Sequence, residues 1–373
     1  MSAPKIISVR TLLIRLPLPR PMAGPFGQLA ARHNLLVVIE TDGGSRGIGE
    51  VWSNFPPWGC AERKEIVDRA LKPLLVGQTL DDPTRLYRLM HQRTRLLALQ
   101  WGAPGPVHQA VAGVDIAVWD AHARHLGRPL RKLIADDAPD EVPAYASGIG
   151  PDDTIERIEA SRAAGHSRFK IRIPFGVEVA RRMLREARAA SGEAPLMADG
   201  NQALTVAEAE ALIPDLAAAG LEWLEEPFPV DDVDDYLAFA RKCPVPLAWG
   251  ENARGVDGLE RCIESPARVI QPDITKTLGI SEGLVVGRRV IAAGKRLCFH
   301  MYGGPIGLVA SAQLTAALRG DWLEMDANPN PLYDRVVATP PVVRDGCLIL
   351  DGTPGLGATL APEYEDQLQA TPA

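Results

Sequence analysis

The chain of 373 residues is too long for one ordinary core and suits two domains, or one large barrel with a lid. Its 46% apolar and 23% charged residues are the balance of a folded soluble protein, which excludes a disordered or fibrous chain. Forty basic residues against 47 acidic leave a net charge of −7, a poor match to nucleic acid or to an anionic membrane surface. No run reaches the roughly 18 apolar residues of a membrane span, and Arg10, Arg15 and Arg20 interrupt any signal-like core at the N-terminus. The five cysteines, Cys60, Cys243, Cys262, Cys298 and Cys347, lie far apart without a CxxC pair. They fit reduced thiols in a cytoplasm rather than a disulfide or zinc framework.

In chain order, Lys5–Leu16 and Asn34–Glu40 are apolar, β-branched runs. The turn Asp42-Gly43-Gly44 leads to a third run at Ile48–Trp52, so a three-strand meander is expected. Pro17–Ala31, rich in Pro and Gly, reads as a long loop, and Ser53–Trp58 as a second; loops of that kind serve as lids or binding loops. Gly47-Ile48-Gly49 lacks the third glycine of a dinucleotide loop and reads as a strand turn. Helical periodicity follows over Thr84–Gln100 and Val107–Leu126. In the second of these, His122 and His125, with Asp115 or Asp120, are better read as part of an amphipathic helix than as a metal site.

From Glu141 onward short β-rich runs alternate with helical segments. The runs lie near Val142–Ala146, Phe169–Ile173, Leu196–Ala198, Trp223–Leu224, Leu247–Trp249, Val269–Gln271, Leu297–Phe299 and Trp322–Leu323. Eight strands with seven intervening helices imply parallel pairing through right-handed crossovers and close most simply into a barrel lacking its last helix. A doubly wound open sheet is the alternative. The predicted architecture is a (β/α)7β modified TIM barrel over 131–339. An α+β N-terminal capping domain would comprise 1–130 and a returning tail of about 340–373.

In such a barrel the chemistry sits at the C-terminal ends of the strands. The second to eighth strands end in Lys170-Ile171-Arg172, Asp199-Gly200-Asn201, Glu225-Glu226, Gly250-Glu251, Pro272-Asp273, Phe299-His300 and Leu323-Glu324. Asp199, Glu225 and Glu251 are spaced by 26 and 26 residues, about one βα unit each, which predicts equivalent positions on three adjacent strands. Three carboxylates converging there would repel unless a cation sat among them, and hard oxygen ligands suit Mg²⁺. Lys170 and Arg172, two apart on a strand, share a face. Asp273 beside His300 would orient the imidazole and raise its basicity, as a general base requires.

The stretches DIAVWDAHARHLGRPL, FKIR, MADGN, LEEP, GEN, QPD, FH and LE resemble, as a set and over the whole chain, the mandelate racemase subgroup of the enolase superfamily. The resemblance implies an α+β cap, completed by the C-terminal tail, over a (β/α)7β barrel. It implies Asp199, Glu225 and Glu251 as Mg²⁺ ligands and Asp273 with His300 as the acid/base dyad. Glu324 would hydrogen-bond a carboxylate or enolate oxygen, and Lys170 would help bind the substrate carboxylate. The shared step is removal of the proton α to a carboxylate, and the family is commonly oligomeric.

Where the subgroup usually carries Lys-x-Lys, this chain has Arg172. An arginine stays protonated at neutral pH, a poor base but a good anion binder, which disfavours racemisation through a base on each face. The expectation is therefore a Mg²⁺-dependent cytoplasmic dehydratase, a hydro-lyase acting on a sugar acid or related hydroxy acid and giving a 2-keto-3-deoxy product. His300 would serve as base and then acid. Alternatively, His300 is only the acid, or a two-residue shift puts Lys170 in the second-base position. A racemase, epimerase or cycloisomerase working through the same enolate is the other enzymatic reading, and a non-catalytic binding protein on the same barrel is the third. Trp52, Arg20 and Asn201, with Gln28, His33 and Asn54, are the candidate substrate contacts.

Overall fold

The protein, described over residues 3–24, 27–56, 58–173 and 176–370 in a computed structural model, begins with three antiparallel strands. These are β1 (Ile6–Gly24), β2 (Gly27–Thr41) and β3 (Arg46–Val51). In β1, Leu12, Ile14, Leu16 and Leu18 are buried while Leu13, Arg15, Pro17 and Pro19 face solvent, the two-residue period of a half-buried strand. The expected meander is present, but Pro17–Ala31 is not a loop. Strands β1 and β2 run on as a hairpin through Met22↔Leu29, with a register shift between Pro17 and Met22. β1 is an edge strand, where Pro19 and Pro21 remove ladder donors at modest cost and bulge the pairing instead of ending it.

Next come α1 (Gly59–Ile66), a π-helical turn at Val67–Leu71, α2 (Lys72–Leu75), α3 (Pro83–Trp101), α4 (Pro104–His125) and α5 (Leu130–Ile134). Helix α4 is buried along most of its length. A helix apolar on nearly every side needs cover on nearly every side, here from the sheet and from the rest of the chain. Gly47 and Gly49 lie within β3 rather than at a turn. A Cβ at Gly47 would stand 2.1 Å from Ala117 O, and one at Gly49 2.0 Å from Gly113 O, so these glycines let α4 press against the strand.

The second half alternates strand and helix as the sequence predicts. Its elements are β4 (Glu141–Ile149), α6 (Thr154–Ala163), β5 (Phe169–Arg172), α7 (Val177–Ser191), β6 (Leu196–Asp199) and α8 (Val206–Ala218). They continue with β7 (Leu224–Glu225), α9 (Val233–Ala240), β8 (Leu247–Trp249), α10 (Gly255–Glu264) and β9 (Val269–Ile270). A second π-helical turn (Ile274–Leu278) precedes α11 (Gly279–Ala292), β10 (Arg296–Leu297), α12 (Pro305–Leu318) and β11 (Leu323–Asp326). Strands β4 to β10 pair in sequence order and in parallel, and β11 returns to pair with β4. Backbone bonds from Asp321 N to Leu297 O (2.8 Å) and from Glu324 N to Phe299 O (3.3 Å) tie β11 to β10. The sheet is thus closed, which excludes the doubly wound alternative. Tyr145, Met197, Trp223, Ala248, Val269 and Cys298 form an apolar layer inside it.

The chain ends with α13 (Pro331–Arg335), β12 (Val343–Arg344), β13 (Cys347–Ile349) and α14 (Pro362–Ala370). β13 pairs antiparallel with the start of β4, and α14 reaches the first sheet, where Arg46 Nη1 lies 2.5 Å from Glu365 Oε2. Three buried carboxylates join the halves. Glu50 accepts from Gly304 N (2.5 Å) and Gly307 N (2.8 Å), and Asp115 from Ser281 N (2.8 Å) and Ser281 Oγ (2.7 Å). Asp120 accepts from Ile48 N (2.9 Å) and Leu356 N (2.7 Å). Among the described residues, no helix is long and apolar enough to cross a membrane.

Candidate active site

The barrel register carries Arg172, Asp199 and Glu225 to one level, since Arg172 pairs with Asp199 and Asp199 with Glu225. The equivalence expected for the third carboxylate does not hold. Glu225 pairs with Ala248, and Glu251 lies beyond the end of β8. Gly250, at φ 135°, turns the chain there, and a Cβ on it would meet Gln271 N at 3.1 Å. The 26-residue spacing measures chain length, not register, and a loop residue makes up the difference.

Lys170, from two residues deeper in β5, is 1% exposed, and its ammonium fills the centre of the site. It lies 2.7 and 2.6 Å from the two oxygens of Glu225 and 2.8 Å from Glu324 Oε1, with Asp199 Oδ2 at 3.9 Å. An ammonium has three N–H donors, and these three short contacts use them all. Gln271 Nε2 also donates to Glu225 Oε2 (2.6 Å), and Ser147 Oγ to Glu324. The Tyr145 ring lies beside the ammonium, its centroid 5.5 Å from Lys170 Nζ.

Across the mouth, His300 Nδ1 lies 2.7 Å from Asp273 Oδ2, while Nε2 touches Glu251 and lies 3.6 Å from Glu324 Oε2. Asp273 Oδ1 caps the second π-turn, accepting from Thr275 N (2.7 Å), Thr275 Oγ1 (2.7 Å) and Lys276 N (3.1 Å). Asn252 Nδ2 bridges Glu251 Oε1 (2.6 Å) and Glu226 Oε2 (2.7 Å), and its Oδ1 accepts from Lys276 Nζ (2.9 Å).

The electrostatics follow from burial and like charge. Burial and then the charge of Glu225 hold the Asp199 carboxyl well above the usual carboxylate range, and burial also raises Glu225. Burial pushes Glu251 upward too, but the His300 and Lys276 charges outweigh it and keep its carboxyl low. Burial works against protonated His300, yet Glu251, Glu324 and Asp273 together raise its pKa well above that of a free imidazole. Among the described residues, no three acidic, histidine or cysteine side chains are drawn into a ready metal cage, because Lys170 and His300 hold the carboxylate oxygens. The donor set nevertheless fits a hard dication. Glu225 and Glu251 raise the proton affinity of Asp199, Glu251 raises that of Glu225, and among the described residues the buried oxygens Asn201 Oδ1 and Gln271 Oε1 have no partner.

Of the other sequence candidates, Asn201 stands at the ligand level, at φ 45°, donating from N and Nδ2 to Asp199, each at 2.7 Å. Trp52 is half-buried against the site, its ring under Lys276 Nζ at 5.0 Å. Asn54 donates to Tyr302 O. His33 is half-buried with Nδ1 unpartnered. Arg20 is exposed on β1, without a hydrogen bond or ion pair among the described residues, so nothing brings it to the strand ends. The side chain of Gln28 lies outside the described residues. Sequence reasoning missed Lys276, Gln271 and Tyr302. Gln271 could have been found, as it precedes Asp273 by two and so shares its face; Lys276 is the lone cation in Ile270–Ile280.

Residues 6–135 match the mandelate racemase / muconate lactonizing enzyme N-terminal domain, and residues 153–364 the enolase C-terminal domain-like family. The chain is 30% identical over 371 residues to a D-galactarolactone cycloisomerase of Agrobacterium fabrum, covering 95% of this chain and 96% of the relative. It is 28% identical over 343 residues to an arabinonate dehydratase of Saccharolobus solfataricus, covering 88% and 90%. Among solved structures, a mandelate racemase/muconate lactonizing enzyme from Bordetella bronchiseptica superimposes with a TM-score of 0.90 at 36% identity, over 97% of this chain and 99% of that one. An enolase from Bradyrhizobium complexed with magnesium and mandelic acid gives 0.86 at 27% identity, over 98% and 99%. Mg²⁺ is the characteristic cofactor of the family, whose relatives here include sugar-acid dehydratases and cycloisomerases. With both halves matched and the barrel closed, the chain belongs to the mandelate racemase / muconate lactonizing enzyme family of the enolase superfamily.

Proposed function

We propose that the protein is a Mg²⁺-dependent dehydratase of a sugar acid or related hydroxy acid, giving a 2-keto-3-deoxy product. The observation that carries this reading is the asymmetry of the mouth. One side holds the His300–Asp273 pair, and the strand position level with Asp199 holds Arg172, a group that does not give up its proton. One base on one face suits elimination better than racemisation. In this reading Asp199, Glu225 and Glu251 would hold the Mg²⁺, which when bound supplies Lewis-acid stabilisation of charge developing on the substrate carboxylate.

The chain's own groups do the rest. His300 Nε2 takes the proton α to the carboxylate while Asp273 fixes Nδ1, and Glu324 faces the oxygens on which charge develops. As the β-carbon–oxygen bond breaks, the imidazolium returns that proton to the departing hydroxide. Water leaves, and the remaining enol becomes the 2-keto acid. The 28%-identical arabinonate dehydratase supports this reading. The 30%-identical D-galactarolactone cycloisomerase favours a second one, in which the same proton abstraction expels a ring oxygen instead of hydroxide.

A panel of aldonates, aldarates and aldarolactones with Mg²⁺, developed with semicarbazide, tests both. A keto product from open-chain acids is expected; keto product from lactones alone would make the second reading correct, and turnover confined to a racemisation panel would remove both. We further place the capping unit at 1–130 with a tail from about 340, over a barrel of 131–339. The free thiols support a reducing cytoplasmic setting, and the exposed Leu96, Leu99 and Trp101 on α3 support a homo-oligomer.

A further inference from the structure

Both members of the His300–Asp273 pair sit on short connections, and both connections are held by one strand of the first sheet. Asp273 is braced by Thr275, whose N and Oγ1 each donate to Oδ1 at 2.7 Å. Thr275 O in turn accepts from Trp52 N, the residue after β3, at 3.4 Å. On the other side, His300 is followed by Met301–Gly304, which runs to the amino end of α12. There Glu50 of β3 accepts from Gly304 N (2.5 Å) and Gly307 N (2.8 Å).

The chain closes tightly around that carboxylate, which is 2% exposed. A Cβ at Gly303 would stand 2.6 Å from Glu50 Oε1, one at Gly304 2.8 Å from Oε2, and one at Gly307 3.2 Å from Cδ. The Gly307 Cβ would also meet Thr275 Cγ2 at 3.0 Å, so the same glycine brings α12 against the π-turn. Further side chains of the N-terminal half hold the segment between. Asn54 donates to Tyr302 O, and Arg32 lies over the Tyr302 ring at 5.0 Å from its centroid. Asp120, another buried carboxylate between the halves, differs: it accepts from Ile48 N and Leu356 N and pairs with Arg124, touching neither connection.

We propose that Glu50 is a positioning residue for the His300–Asp273 pair: its carboxylate locks the connection after His300 to the strand that also holds the π-turn after Asp273. This rests on the reading of that pair as the acid/base group, and it assigns the pair's geometry to a residue outside the barrel. Proton transfer needs hydrogen-bond reach, and a misplacement of about 1 Å from a distant change can cost on the order of 100-fold in rate. Glu50 also satisfies N–H groups at the α12 amino end that burial would otherwise leave without a partner.

Steady-state kinetics on the productive acid and amide hydrogen exchange by mass spectrometry, both on the full chain in saturating Mg²⁺, test this. Glu50→Ala should lower kcat by roughly 30-fold with KM within about threefold, and Glu50→Gln, which keeps an accepting oxygen, should recover about tenfold of that loss. Amides of 301–307 should exchange faster in Glu50→Ala than in wild type. Asp120→Asn should lose stability in urea yet keep kcat within about twofold and leave the exchange of 301–307 unchanged. Should Glu50→Ala fail to fold, Gly307→Ala takes its place, because its new methyl crowds the same carboxylate and should lower kcat with KM kept. Wild-type kcat in Glu50→Ala overturns the proposal, and so does a loss carried by KM, or wild-type exchange over 301–307. An equal fall of kcat in Asp120→Asn overturns it too, since any loosened joint would then suffice. A sugar-acid panel without keto product would end the dehydratase reading, and the exchange comparison would then decide the proposal alone.

Discussion

His300 Nδ1 lies 2.7 Å from Asp273 Oδ2, and the other oxygen of Asp273 is held by the backbone of the π-turn that follows it. A carboxylate can only accept, so the imidazole places a proton on Nδ1 and presents Nε2 to the mouth. His300→Asn should lower kcat for the productive acid by about 10³-fold, within the usual contribution of a general base, while Mg²⁺ binding persists by calorimetry. Asp273→Asn should fall less far and move the acidic limb of the kcat/KM profile. Full activity in His300→Asn would remove the dyad from the mechanism.

Lys170 and Glu225 are both 1% exposed and lie 2.6 Å apart. Deleting the ammonium leaves buried carboxylates facing one another, and breaking a buried pair on one side costs about 3–5 kcal/mol. Lys170→Met should lose that much stability by urea titration, more than the solvent-exposed Arg69→Met, whose partner Glu65 is also exposed. Equal losses in the two variants would show that Lys170 is not the counter-ion the distances indicate.

How much of this was legible beforehand follows from what periodicity encodes. Eight strands, and an ionisable residue at or just past the end of the second to the eighth, were readable, because alternation of apolar runs and strand-end position depend on local sequence. Register was not: Glu251 keeps a 26-residue spacing from Glu225 yet lies past β8, because Gly250 at φ 135° redirects the chain. Pro17–Ala31 misled for a related reason, since prolines stop a central strand but are tolerated on the edge that β1 forms. Tyr302 and Lys276 acquire their place from contacts with Arg32 and Trp52, hundreds of residues away in the chain, and no local pattern announces such partners.

If Asp199, Glu225 and Glu251 hold the Mg²⁺ as proposed, the folded protein is stabilised by the metal. A ligand that binds only the folded state stabilises it by about 2.7 kcal/mol at a hundredfold excess over its Kd. Wild-type protein should therefore melt several degrees higher in saturating Mg²⁺ than after treatment with a chelator. Asp199→Asn, Glu225→Gln and Glu251→Gln should each lose most of that shift, whereas Arg172→Met should keep it. A shift that survives all three carboxamide changes would move the ion elsewhere.

Glu50 is 2% exposed, at the amino end of α12, where it accepts from Gly304 N and Gly307 N. Burial pushes its carboxyl from the ordinary 4.5 up to about 7, and those hydrogen bonds with Asn34 offset only part of the rise. Between these values the folded protein holds a proton that the unfolded chain has released. The stabilising contribution is therefore complete below about pH 4.5 and is lost as pH rises to about 7. At 1.36 kcal/mol per unit the swing is about 3 kcal/mol. Glu50→Gln keeps an acceptor for the helix end but cannot ionise, so its stability should fall less steeply over that window and gain on the wild type above pH 7. Asp115, raised to about 7 by burial as well, leaves a residual slope of the same sign in the variant. Urea midpoints at pH 5 and pH 8 for both proteins decide the matter: parallel pH dependences would mean that Glu50 ionises in the folded protein as it does in water.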